Sequence, residues 1–199
     1  MARVRYGDHL RADLERYWNA YPEAVSPFWR VMMMLFQWEL HAVIIYRINF
    51  HVTRLRVPLI GPLLGYGSYV AQKLNETVSG VRLPASVLIG PGLFIVHAGS
   101  VGVHPLAQIG ANFTISPGAS IVGKIQNQAQ PAMAMIGDNV FLGSGARIVG
   151  SVRVGNDVVI GANAVVVTDL PDGAVAVGNP ARVVRIYDQP VERETRQAT

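Results

Sequence analysis

Cysteine is absent from the 199 residues of this chain, and charged residues are scarce at 15%. Without thiols the chain can form no disulfide and offers no thiolate ligand, which fits a reducing compartment such as the cytoplasm. The five histidines have no clustered carboxylates beside them in the sequence, so no metal site is predicted. The first residues lack the apolar core of a signal peptide. We therefore expect a cytoplasmic protein without a metal.

A hydrophobic run long enough to span a membrane is also lacking, although 50% of the residues are apolar. The most apolar segment, residues 28–48, is interrupted by Arg30, Glu39, His41 and Arg47. A buried helix is therefore the favoured interpretation. Peripheral membrane contact is the alternative, because residues 32–36 are all apolar and arginines flank the segment.

The net charge is +4, but the basic residues are scattered along the chain. No motif of an RNA-binding or DNA-binding protein accompanies them, so nucleic acid is not a predicted partner. A small polyanion, such as a nucleotide cofactor, is a more economical partner for this charge.

The dominant feature of the sequence is a repeat of six residues. An aliphatic residue returns at every sixth position, often followed by glycine, and the fourth residue after it is mostly small or aliphatic. Neither helices nor ordinary strands have this period, whereas parallel β-helices do. The repeat predicts a three-sided prism of about four coils, with roughly eighteen residues per coil. The aliphatic positions are Ile89, Ile95, Val103, Ile109, Ile115, Ile121, Ile136, Leu142, Ile148, Val154, Ile160 and Val166.

Two steps interrupt the repeat. The first follows Ile95, is eight residues long and contains His97. The second follows Ile121 and contains Gly123, Lys124 and a polar stretch. Solenoid proteins extrude such interruptions as loops, often on the binding face. We therefore expect the chemistry of this protein at the two interruptions.

The predicted fold class is mainly β, with a parallel β-helix preceded by an α-helical region. Residues 1–80 are predicted to be helical, residues 81–185 to form the β-helix with a C-terminal extension, and residues 186–199 to be a flexible tail. Within the helical region, Asp8 is predicted to cap a first helix. Ser26-Pro27 is predicted to open a second helix that ends near residues 50–52.

Three longer motifs carry a resemblance to a known family. Gly92 to Gly99 (GLFIVHAG), Ile136 to Ala146 and Gly178 to Arg182 (GNPAR) resemble bacterial acyltransferases of the left-handed β-helix superfamily. They are most similar to the serine acetyltransferase family and to its relatives that acetylate sugars in surface polysaccharides. The resemblance includes the helical N-terminus. It implies a left-handed coil, against the usual right-handed crossover.

The resemblance also implies an assembly, a donor and a base. The assembly is a homotrimer with active sites between neighbouring prisms, and a dimer of trimers through the N-terminal helices is compatible with it. The donor is acetyl-CoA, and His97 is the implied general base. The acceptor hydroxyl must lose its proton as it attacks the thioester, and a neutral imidazole can take it near neutral pH. A histidine that merely fills a loop is the alternative.

The remaining candidate residues are assigned by the same resemblance. Small residues where the CoA arm passes close to the backbone are Gly123, Ser144 and Ala162, whose N–H groups suit the cofactor and a thioester oxyanion. Cationic candidates for the nucleotide phosphates are Lys124, Arg182 and Arg185. Ordinary turn residues and solvated charges are the alternatives. His104 is a candidate substrate contact, with a solvent-facing role as its alternative, and His9, His41 and His51 are expected to be structural.

The chain departs from the serine-specific pattern at four positions. Val96 stands where an aspartate commonly holds the serine amino group, and Arg82 where the carboxylate partner of the base is expected. Pro84 and Gln130 stand where histidines often lie. A buried ammonium group needs a carboxylate, so these residues favour a sugar or similar hydroxyl acceptor, with Arg82 as a candidate substrate contact. Serine O-acetylation and a non-catalytic trimeric scaffold are the alternatives.

Overall fold

A group of helices precedes a stack of short strands in the computed structural model, which describes residues 7–21, 26–54, 60–123 and 133–187. The helices in this part of the chain are α1 (Gly7–Ala20), α2 (Pro27–Phe36), α3 (Trp38–Val52) and α4 (Ile60–Ser79). Lys124, Gln130 and residues 188–199 of the predicted tail lie outside the described residues. The predictions made for them therefore remain predictions.

The strands of the described chain are mostly two or three residues long. In chain order they are β1 (Val81–Arg82), β2 (Leu88–Ile89), β3 (Phe94–Ile95), β4 (Val101–Val103), β5 (Gln108–Ile109), β6 (Thr114–Ile115), β7 (Ser120–Val122), β8 (Met135–Ile136), β9 (Phe141–Leu142), β10 (Arg147–Val149), β11 (Arg153–Val154), β12 (Val159–Ile160), β13 (Val165–Val166), β14 (Ala174–Val177) and β15 (Arg182–Ile186). The last of them extends one residue into the predicted tail.

Successive strands join three different sheets in turn, which makes a three-sided prism. The first face contains β1, β4, β7, β10 and β13, and the second contains β2, β5, β8 and β11. The third contains β3, β6, β9, β12 and β14, with β15 antiparallel at its end. All other strand pairs in the described chain are parallel. From β1 the chain returns to the first face at β4, β7, β10 and β13, that is, four times, before a last partial coil.

The interior of the prism is filled by the residues that the six-residue repeat predicts. All twelve aliphatic positions are at most 5% exposed, which confirms their assignment to the core. The fourth residue after each of them is buried as well wherever the structure describes it, except Gly99 in the eight-residue step, which is half-buried. The buried residues are Leu93, Ala107, Phe113, Ala119, Val140, Ala146, Val152, Val158, Ala164 and Leu170.

Stacked asparagine and aspartate side chains hold the turns between the second and third faces. Asn112, Asn139 and Asp157 all have φ near +57°, a left-handed conformation that Asn and Asp tolerate better than most residues. The amide Nδ2 of Asn112 donates to Oδ1 of Asn139 at 2.9 Å, and Nδ2 of Asn139 donates to Oδ1 of Asp157 at 3.0 Å. Each turn is thereby linked to the turn of the next coil.

The single helix predicted from Ser26-Pro27 to residues 50–52 is wrong, because the chain forms two helices there. Gln37 is extended between them, and the chain bends by 79°. His41 Nε2 lies 2.6 Å from Met34 O, a carbonyl that loses its ordinary helical partner at the break. No single described helix is long and apolar enough to cross a bilayer. Only α2 and α3 taken together have such length and composition, despite their bend.

A buried ion pair attaches α1 and α3 to the first coil. Arg47 Nε lies 2.7 Å from Asp13 Oδ2, and the two side chains are 4% and 0% exposed. The guanidinium also donates to the carbonyls of Ile89 (2.8 Å) and Gly90 (2.6 Å), while Leu93 N donates to Asp13 Oδ1 at 2.7 Å. Since both charges are well hydrogen-bonded, the cost of their desolvation is largely offset.

We expect Asp13→Asn to destabilise the protein by about 3 kcal/mol, because it leaves the Arg47 charge buried without its partner. The measurement is the free energy of unfolding in urea at a fixed protein concentration. Glu15→Gln is the matched control on the same helix, since it breaks the exposed Arg11–Glu15 pair and should have no measurable effect. Equal effects of the two substitutions would contradict this account of the pair.

Candidate active site

His97 lies in a bend at the edge between the third and first faces. β3 ends at Ile95 and β4 begins at Val101, both of which are buried. The intervening residues 96–100 leave the strand path, and the side chain of His97 is exposed. The two extra residues of this step thus form an outward bend, as predicted, without disturbing the core. Within the described ranges, no hydrogen bond or ion pair occupies the imidazole.

Helix α1 holds the strand that leads to His97. β3 is the terminal strand of the third sheet, so its outer N–H and C=O groups have no strand partner. The hydroxyl of Tyr17 donates to Ile95 O (3.1 Å) and accepts from Ile95 N (3.0 Å), and its burial raises the pKa of that phenol. Arg16 donates to Gly92 O and, at 2.9 Å, to Thr114 Oγ1. These contacts fix the backbone two residues before His97.

Ser144 and Ala162 lie on the same edge of the prism as His97. The turns of successive coils are stacked there, and main-chain hydrogen bonds join them. These run from Gly118 N to Gly99 O (3.0 Å), from Gly145 N to Pro117 O (2.9 Å) and from Asn163 N to Ser144 O (2.8 Å). Three coil steps separate the His97 bend from Ala162, which is about 14 Å at the usual spacing of stacked strands.

This edge, which we call the His97 edge, offers free N–H groups and little side-chain bulk. Ser144 and Ala162 are exposed, and their main-chain N–H groups donate to no acceptor in the described part of the chain. Pro117, at the equivalent position of the preceding coil, has no N–H to offer. The His97 edge is therefore suited to an extended ligand that carries carbonyl groups.

His104 and Gly123 lie on a different edge, between the first and second faces. His104 directly follows β4, is half-buried, and its Nδ1 accepts a bond from Leu106 N at 3.3 Å. A methyl group added to Gly123 would lie 2.9 Å from Nε2 of His104. Packing against His104 thus accounts for the glycine without any ligand. The first face separates both residues from His97 within one chain.

Arg82 contacts the helices in the structure. It forms an ion pair with Glu76 at the end of α4, and Lys73 donates to the same carboxylate at 2.9 Å. Partial burial alone would raise the pKa of Glu76, but the hydrogen bonds from Lys73 and Arg82 hold it below its usual value. Arg82 lines a depression of about 410 Å³ together with residues of α3 and α4. No described contact joins Arg82 to His97.

The two candidate arginines of the C-terminal extension lie on β15. The turn before it continues the His97 edge, because Gly178 O accepts from Val165 N (2.9 Å) and Ala181 N donates to Val165 O (2.8 Å). Arg182 follows this turn directly and is exposed, as is Arg185. Arg182 therefore lies near the end of the His97 edge that is distant from His97. Arg185 lies farther along β15, opposite Val175, and its guanidinium donates to the hydroxyl of Tyr187 at 3.1 Å.

Another surface depression, about 580 Å³, contains none of the predicted site residues. It runs along the second face and includes Leu88, Gln108, Met135 and Arg153. Sequence reasoning missed it because these outward positions recur with the repeat but carry different residue types on successive coils. The sequence analysis also missed the roles of Arg16 and Tyr17. Their spacing with Asp13, three and four residues apart, puts three polar side chains on one face of α1, and this pattern could have indicated them.

Known proteins share both the repeat and the fold. The family model described as bacterial transferase hexapeptide (six repeats) matches residues 133–168. The serine acetyltransferase of Helicobacter pylori is 33% identical over 177 residues, covering 88% of this chain and 96% of the relative. The crystal structure of Neisseria gonorrhoeae serine acetyltransferase is 28% identical with a TM-score of 0.78, covering 95% of this chain and 70% of that one.

A second structure of the Neisseria gonorrhoeae enzyme, in complex with serine, is 27% identical with a TM-score of 0.73. The matched region covers 90% of this chain and 69% of the chain in that structure. Identity of this extent over nearly the whole length of the Helicobacter relative fixes the family. The chain belongs to the serine acetyltransferase family of hexapeptide-repeat acyltransferases with a left-handed β-helix fold.

Proposed function

We propose that His97 is the general base of an O-acetyl transfer from acetyl-CoA. The observation that carries this proposal is the shared edge, where an exposed histidine is followed on later coils by small residues with free N–H groups. The exposed Ser144 and Ala162 leave room for the pantetheine arm of CoA. Arg182, at the far end of this edge, and Arg185, on the same strand, are the candidates for its phosphates.

The residues of the His97 edge have different roles in the proposed reaction. The imidazole of His97 accepts the proton of the acceptor hydroxyl as its oxygen attacks the thioester carbonyl. The free N–H groups of Ser144 and Ala162 lie two and three coil steps from His97, about 10 and 14 Å along the edge. At that distance they suit the carbonyl groups of the pantetheine arm and not the oxyanion beside His97. The carbon–sulfur bond then breaks, and the imidazolium returns its proton to the departing thiolate. The products are an acetyl ester and free CoA.

The relatives favour serine as the acceptor over a sugar. Those named above are serine acetyltransferases, and one of them holds serine. Transfer of the acetyl group to the hydroxyl of serine is therefore the first candidate reaction of this chain. It is better supported than the sugar acceptor that the sequence reasoning placed first.

A hydroxyl acceptor without an ammonium group, such as a sugar, is the second candidate. Val96 directly precedes His97 and is half-buried, so this position supplies no carboxylate for an ammonium group. Arg82, at the position expected for the carboxylate partner of the base, is paired with Glu76. An ammonium group desolvated beside Val96 would lack a partner there, which is costly.

The proposed assembly is a homotrimer with its active sites between prisms. Within one chain, the first face separates the His97 edge from the edge that carries His104 and Gly123. A neighbouring prism can place its edge that carries His104 and Gly123 against the His97 edge of this chain. His104 and Gly123 would then complete the site of the adjacent subunit.

We expect His97→Ala to lower acceptor-dependent release of CoA thiol by at least ~100-fold, because the hydroxyl loses its base. The measurement is thiol release from acetyl-CoA with serine, hexoses, aminosugars and nucleotide sugars as acceptors. CoA binding by the variant should remain, since the rest of the edge is intact. If wild type shows neither turnover nor CoA binding, the chain is a non-catalytic scaffold instead.

The same acceptor panel separates the two candidates. Turnover of serine by wild type would establish the first candidate. If wild type instead prefers a sugar, Val96→Asp should shift the ratio of kcat/KM values towards serine, because it supplies a carboxylate beside His97. An unchanged ratio would contradict the role given to Val96.

We expect Ala162→Leu to raise the KM for acetyl-CoA by about tenfold, since crowding a ligand surface costs about 1–3 kcal/mol. Ala111→Leu is the matched control, because Gly110-Ala111-Asn112 repeats the Gly161-Ala162-Asn163 turn on a different edge. The control should leave the KM unchanged. An equal rise in both variants would show that the His97 edge is not the CoA site.

A further inference from the structure

Helix α4 presents its apolar residues to the outside of the protein. They recur every three or four residues, so they form one stripe along the helix. Leu63, Tyr66, Val70, Leu74 and Val78 are 73%, 69%, 37%, 65% and 58% exposed. A helix that packs on a soluble protein normally has the opposite arrangement, with its apolar stripe facing the core.

The opposite side of α4 is polar, and hydrogen bonds fix it against the protein. Asn75 and Ser79 are buried. Gln72 accepts a hydrogen bond from Asn49 Nδ2 and donates one to Leu83 O, both at 2.9 Å. Rotating the helix to bury its apolar stripe would break these contacts. The outward direction of the stripe is therefore built into the structure.

Helix α2 is apolar around most of its circumference. It buries only Met33 among its residues. Its exposed apolar side chains are Phe28, Trp29, Val31, Met34, Leu35 and Phe36. At about 100° per residue these positions surround more than half of the helix, whereas packing on one partner helix needs a stripe of only about 100°. Immersion in an apolar medium covers such a surface better than one helix does.

The charges beside this surface are positive. Arg30 and Arg54 are exposed, and the acidic residues of α2, α3 and α4 are Glu39 and Glu76. Glu39 is only 9% exposed, and Glu76 is half-buried and paired with Lys73 and Arg82. Apolar helices flanked by arginine and free of exposed carboxylates have the chemistry of interfacial helices, which insert at the headgroup–acyl boundary of anionic bilayers.

We propose that α2 and the outward stripe of α4 bind the surface of an anionic lipid bilayer. The apolar side chains enter the boundary between headgroups and acyl chains, and the arginines face the lipid phosphates. The prism with the His97 edge then works at a membrane surface. This proposal concerns the location of the protein and does not depend on the identity of its acceptor.

The test is flotation of the full-length protein with vesicles. One set contains phosphatidylcholine alone, and the other contains phosphatidylcholine with phosphatidylglycerol. We expect binding to the anionic vesicles that weakens as salt is added. A triple variant, Phe28→Ser, Phe36→Ser and Leu74→Ser, should bind at least ~10-fold less. The matched control is Leu88→Ser with Val184→Ser, which changes exposed apolar residues of the prism and should bind as wild type does.

Two outcomes would overturn the proposal. A triple variant that binds as tightly as wild type places the lipid contact elsewhere. Wild type that floats with neither vesicle type does not recognise lipid. In that second case, a smaller mass of the triple variant by sedimentation equilibrium would show that a second copy of the chain covers α2 and α4. Circular dichroism of the variants checks that they are folded in each case.

Discussion

Every coil of the prism depends on the coil next to it, because aliphatic side chains and main-chain hydrogen bonds connect the layers without a gap. This stacking leaves two inward positions in each six-residue step that must be apolar. Variation is tolerated at the edges, where a longer turn does not disturb the core. The exposed bend of His97 and the small residues Ser144 and Ala162 occur at one such edge, so the constraint that builds the fold also decides where a ligand can bind.

The first coil has no preceding coil, and the helices take its place. Asp13 and Arg47 bring two charges into the interior and bond them to the main chain of the first coil. Tyr17 pairs both main-chain groups of Ile95 as a neighbouring strand would. The polar side of α4 is fixed in the same way through Gln72. The inner side of α4 is thus polar, which leaves its apolar stripe outward, and α2 buries only Met33.

The sequence predicts the prism well because its signal is local and periodic: the aliphatic positions from Ile89 to Val166 are buried, and the step that contains His97 forms an outward bend. The features that the sequence does not predict depend on contacts between residues that are distant in the chain. The Asp13–Arg47 pair and the bond from Tyr17 to Ile95 join the helices to the prism across long stretches of sequence. The break at Gln37 has no proline or glycine to mark it, and the Arg82–Glu76 pair follows no repeat.

The central claim is that the His97 edge is the surface that receives the acyl donor. Hydrogen–deuterium exchange with and without saturating CoA tests it most directly, because the N–H groups of Ser144 and Ala162 have no acceptor within the described chain and should exchange quickly. The account predicts that CoA slows exchange in residues 143–146 and 161–164. Unchanged exchange there, with slower exchange in residues 108–110 and 135–137 on the second face, would contradict it.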